Sequence, residues 1–126
     1  MTDEDPLLAT RALLLRDLAA RGMDSAACVD VLEDAIEGRR WWVQEWPEGA
    51  AYVAGQVAQD VQDRLLDTGL GRWPRCTACD ETEHHELRVT PDLGSDPHWA
   101  CEKAGIVVAP LGTLGGAAPG GTTGSR

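Results

Sequence analysis

Phenylalanine is absent from this chain, tyrosine occurs once, and Lys103 is the one lysine among eleven basic residues. Five tryptophans therefore supply most of the aromatic bulk available to a core. No run approaches the roughly 20 apolar residues that a membrane helix needs. The acidic opening MTDEDP has neither the basic start nor the apolar stretch of a secretory signal. The expectation is a cytoplasmic protein, where a close cysteine pair more often binds metal or does redox work than forms a structural disulfide.

Positive charge is also scarce. Residues 1–70 hold 6 Arg against 14 acids and residues 71–126 hold 5 basic against 7 acidic, for a net charge of −10. Nucleic-acid affinity draws on phosphate neutralisation by Lys and Arg, and neither half offers a basic stripe. Charge thus argues against nucleic acid and against anionic membranes as partners. Nucleophile elbow, phosphate loop and HExxH patterns are missing too, so the sequence reads as non-enzymatic.

Hydrophobic residues make up 43% of the chain, enough to build a core. Asp5 and Pro6 open a first helix with a cap and a residue that tolerates a missing N–H. Leu8, Ala12, Leu15 and Ala19 form its apolar stripe, flanked by Leu7, Leu14 and Leu18, with Arg11, Arg16 and Asp17 off it. Gly22 ends it. A second helix starts at Asp24 or Ser25 and carries Cys28, Val31, Leu32, Ala35 and Ile36, with Cys28 read as a small buried apolar residue. RRWWVQEWP adds a helical turn or two before Pro47 and Gly49. A third helix over about residues 49–67 aligns Val53, Val57, Val61 and Leu65 at steps of four, with a polar face of Gln59, Asp60, Asp63 and Arg64. Short breaks between helices imply a small antiparallel arrangement.

After Trp73-Pro74 the period changes. His85, Leu87 and Val89 alternate with Glu86, Arg88 and Thr90 on a short strand. A turn rich in Pro, Gly and Asp follows. A return strand from His98 to Cys101 puts Trp99 and Cys101 on one face, and residues 105–109 form a third strand. The tail from residue 115, GGAAPGGTTGSR, has nothing to bury and is expected to be disordered. The division is an acidic helical segment (1–70), a β part (71–114) whose Cys76, Cys79 and Cys101 make it zinc-ribbon-like, and the tail (115–126), in an α+β fold where the three-helix segment packs on the zinc-stabilised ribbon. A ribbon of about 40 residues has too little core to stand without metal or a partner.

The ligand pattern lies in this second part. Cys76 and Cys79 have the C-x2-C spacing that lets two thiolates reach one tetrahedral zinc, and Cys101 brings a third from across a hairpin. Ala104 occupies the position of a fourth ribbon cysteine, so the fourth ligand is a histidine. The parity of the strand favours His85, with His84 the alternative; His98 points to the opposite face from Cys101. A Cys3His site is closed and structural. A redox role for Cys76 and Cys79 fits poorly, because acidic DETEHHE and a strand follow where a helix N-terminus would lower a thiol pKa. Trp42, Trp46 and Trp99 read as core; Trp41, beside Arg39 and Arg40, is the candidate partner surface.

The pattern WPxC-x2-C, H-x-L, W-x-C and VAPLG-x-L, preceded by WW-x3-WPEGAAYVAGQVAQDVQ, resembles small actinobacterial zinc-ribbon-like proteins. The matching positions are Trp73, Cys76, Cys79, His85, Leu87, Trp99, Cys101 and Gly112, within residues 40–114. The longer insertion between Cys79 and His85 departs from that pattern and leaves His84 or His85 open. The resemblance implies zinc binding and no activity. The combined reading is a non-catalytic interaction or adaptor module with one structural zinc, and a nucleic-acid-associated regulator as the alternative.

Overall fold

We describe a computed structural model of the chain, covering residues 5–76, 85–91 and 93–115. It is an α+β arrangement in which helices come first and a three-stranded antiparallel sheet follows. Cys79, His84 and the tail from residue 116 lie outside the described residues.

Helix α1 spans Pro6–Ala20, and the Asp5 carboxylate accepts the Leu7 amide at 2.9 Å as its cap. The Met23 amide closes the other end on the Leu18 carbonyl across Gly22, which has φ +69°. Ser25 caps α2 (Ala26–Gly38) through the Cys28 amide. The WW segment forms the short helix α3 (Arg40–Glu45), and a 3-10 turn over Pro47–Tyr52 leads into α4 (Val53–Asp67). The expected faces of α2 and α4 are the buried ones: Cys28, Val31, Leu32, Ala35 and Ile36 on α2, and Val53, Val57, Val61 and Leu65 on α4. Arg39 joins the two helices, its guanidinium gripping Asp60 at 2.7 and 3.1 Å while lying over the Trp42 ring.

The face of α1 differs from the sequence reading. Leu8 is 60% exposed and Ala12 and Ala19 also face outward, whereas Leu7, Thr10, Leu14, Asp17 and Leu18 are buried. Apolar residues surround this helix on nearly every side, so their period does not select an inward face. Asp17, expected on the polar side, is fully buried. One of its oxygens accepts the Trp99 indole N–H at 2.8 Å and the Gly112 amide at 2.6 Å, and the other accepts the Leu114 amide at 3.0 Å. Its backbone carbonyl takes the Trp73 indole N–H at 3.3 Å. These distant donors decide how α1 is turned.

The sheet has the order β1-β2-β3, from Arg88–Thr90, His98–Cys101 and Ile106–Pro110. Val89 pairs with Trp99, and Trp99 with Ala109, before a bulge between Trp99 and Ala100. One hydrophobic core runs through both parts of the chain, and Trp73 and Trp99 meet edge to face inside it, 5.1 Å apart. Trp46, read as core, is 39% exposed and lies edge-on to Trp42 over Gly49, where an added Cβ would strike both rings.

Gln62 of α4 is also buried, and its amide donates to the Trp73 and Leu87 carbonyls at 3.2 and 2.6 Å. It thereby ties α4 to the chain on both sides of Cys76 and His85. Gln62→Ala is expected to cost about 2 kcal/mol by orphaning two buried carbonyls, read as a lower urea midpoint with unchanged slope. Gly112 has φ +92°, and a Cβ there would collide with Leu13. Gly112→Ala therefore combines backbone strain with a displaced α1 contact, and about 2 kcal/mol of thermal destabilisation is expected. A neutral melting curve for either variant would contradict these assignments.

Candidate metal centre

The described residues that follow Trp73 pair locally with those around His85. Arg75 bridges Glu86 in antiparallel fashion, the Cys76 amide donates to the His85 carbonyl at 2.9 Å, and the Leu87 amide donates to the Pro74 carbonyl at 2.8 Å. Cys76 and His85 consequently stand side by side. Leu87, two residues after His85, is buried, in keeping with the parity that the alternation implied. The third residue comes from β2, where Trp99 and Cys101 share the buried face and Cys101 is 1% exposed.

These three residues converge. The ligand atoms of Cys76, His85 and Cys101 lie within 4.8 Å of one another. His85 Nε2 is 3.6 Å from Cys101 Sγ. A tetrahedral zinc with Zn–S near 2.3 Å and Zn–N near 2.05 Å separates a sulfur and a nitrogen ligand by about 3.6 Å. The pair therefore has the spacing of one edge of such a site, as well as that of a thiol–imidazole hydrogen bond. His85 and Cys76 are half-buried, and His85 borders a solvent-open hollow of about 370 Å³ with Glu86, Arg88, Glu102 and Lys103, which gives an ion a route in.

A family model described as Domain of unknown function (DUF8819) matches residues 3–111. The chain belongs to that family. No curated protein and no solved structure matches it. The matched part of this family member includes Asp17, Cys76, His85 and Cys101, so the convergent residues lie inside the domain that defines the family.

The turn after β2 adds a contact that residue types could not announce. The Ala104 amide donates to Cys101 Sγ at 3.4 Å, and the Gly105 amide, at φ +68°, returns to the Cys101 carbonyl. A backbone N–H is aimed at the sulfur. Thus the position where a ribbon would carry another cysteine instead supplies an amide. His98 turns away, with Nδ1 2.7 Å from the Asp96 carbonyl.

The partner-surface candidates are divided. Trp41 is 62% exposed, whereas Arg39 is held by Asp60 and Gln56 and Arg40 contacts Glu37 and Asp5. Among the described residues no helix is long and apolar enough to cross a membrane.

Proposed function

We propose that this family member is a non-catalytic zinc protein in which one structural ion clasps the sheet and the helical side acts as an interaction or adaptor surface. The convergence of Cys76, His85 and Cys101 carries the reading. Two cysteines and an imidazole are soft, nitrogen- and sulfur-rich donors, suited to zinc and poorly suited to magnesium or calcium. Cys79 completes a Cys3His set on its C-x2-C spacing from Cys76. His85 is the imidazole ligand in preference to His84, supported by its 3.6 Å approach to Cys101. The zinc-ribbon-like resemblance agrees with this donor set.

For the surface, exposed Trp41 is the anchor, since Trp is enriched where partners bind tightly. The acidic helices around it suit a partner of basic or neutral character.

Metal analysis of the purified protein tests the site. One zinc per chain is expected, lost in Cys79→Ala and in His85→Ala and retained in His84→Ala. A wild-type protein that neither carries zinc nor takes it up would end the reading. For the adaptor role, a partner recovered by co-purification should be lost from Trp41→Ala.

A further inference from the structure

We propose that a second site, a cavity bordered by Arg21, Met23, Leu70, Gly71, Arg72 and Arg75, binds a small oxyanion ligand: a phosphate or carboxylate carried on a compact apolar body. The cavity measures about 430 Å³ and lies where the α1–α2 turn meets the segment between α4 and Cys76. That volume falls within the roughly 300–1,000 Å³ typical of small-molecule sites.

Its charge is opposite to that of the protein. The chain carries 21 acids against 11 basic residues, yet three guanidiniums and no acid appear among the described residues of this lining. Elsewhere Arg11, Arg39, Arg40 and Arg88 each meet a carboxylate. Arg21 and Arg75 meet none among the described residues; Arg16 and Arg64 also lack one, but neither borders this cavity. Arg72 contacts Glu86 at 3.1 Å, a pair exposed enough on the arginine side to yield to a ligand.

The walls are arranged around this charge. Arg21 Nε donates to the Arg75 carbonyl at 3.3 Å, which holds the end of α1 against the Cys76 segment and leaves the terminal nitrogens of Arg21 for another acceptor. Gly71 has φ +122° and puts no side chain into the space; a Cβ there would come within 4.0 Å of the Met23 methyl. Met23 and Leu70 supply apolar contact beside the charges. Planar guanidinium forks match the paired oxygens of carboxylate and phosphate. A long polyanion is disfavoured by the surrounding acidic surface, so the occupant is a small molecule.

The test is an NMR titration of the full-length protein, at its native metal content, with inorganic phosphate, a nucleoside monophosphate and benzoate. Saturable shifts are expected at the Met23, Gly71 and Arg72 amides with at least one probe. Arg75→Gln should weaken binding about tenfold, equivalent to about 1.4 kcal/mol, and Arg72→Gln should do the same, while Arg16→Gln leaves it unchanged. Tighter binding of the monophosphate assigns the phosphate class, and tighter binding of benzoate assigns the carboxylate class. Both substituted arginines are exposed, and an intact amide spectrum shows that each variant is folded. No saturable shift at the cavity with any probe, or undiminished affinity in folded Arg75→Gln, overturns the proposal.

Discussion

Asp17→Ala is expected to destabilise the protein by about 4 kcal/mol or more, from three orphaned donors at roughly 1–3 kcal/mol each and the void left by the side chain. The Trp99 indole and the Gly112 and Leu114 amides would lose their acceptor together. With total stabilities of about 5–15 kcal/mol for native proteins, that loss removes much of the folding free energy. Asp17→Asn keeps the volume but sets an amide donor against groups that are themselves donors, so a large part of the loss should persist. Urea unfolding followed by tryptophan fluorescence reads both variants, since Trp99 donates to the Asp17 carboxylate and Trp73 to the Asp17 backbone carbonyl. A loss under about 1 kcal/mol in the alanine variant would mean that water replaces the carboxylate, within the range for an ordinary surface change.

Stripping the metal, or Cys101→Ala, is the second large effect and rests on the proposed zinc clasp. Structural zinc couples strongly to folding, by about 10–16 kcal/mol in isolated finger peptides. Here the sheet also leans on the helical core through Trp73, Leu87 and Trp99, so part of the fold should outlast the ion. A melting midpoint lower by about 10 °C or more is expected, on a scale of roughly 4 °C per kcal/mol. Near-ultraviolet circular dichroism from the buried tryptophans should collapse while helical signal largely persists. Identical melting of metal-loaded and chelator-treated protein would reject the clasp. Cys28 is buried on α2, away from the convergent group, and Cys28→Ala should leave metal content unchanged.

How much of this could be read from residue order depends on the range of the forces concerned. The faces of α2 and α4 follow from spacing, because one side of each is apolar and the other is not. The same local logic paired Leu87 with Val89 and Trp99 with Cys101, which brought His85 and Cys101 within reach of each other. On α1 it failed: leucines occur nearly all round, and the deciding contacts come from residues 82 to 97 positions away. Gln62 escaped notice for a similar reason, since its acceptors lie 11 and 25 positions off. The Ala104 amide is invisible to any reading by side chain, because only its backbone acts. Trp46 shows the remaining difficulty, as a large apolar residue can cover a neighbouring ring and still face solvent.

The reach of Asp17 also has a temporal side. A ribosome releases α1 early, but the last acceptor contact of that helix waits for Leu114, 97 residues later. Until then its acid must stay hydrated, which opposes burial of the helix face that carries it. The early helices are therefore held short of their final packing during synthesis, and the turn after β3 at Leu111–Leu114 acts as the latch that commits them. Nascent chains stopped before Gly112 should remain loosely associated and open to protease, while a few further residues bring closure.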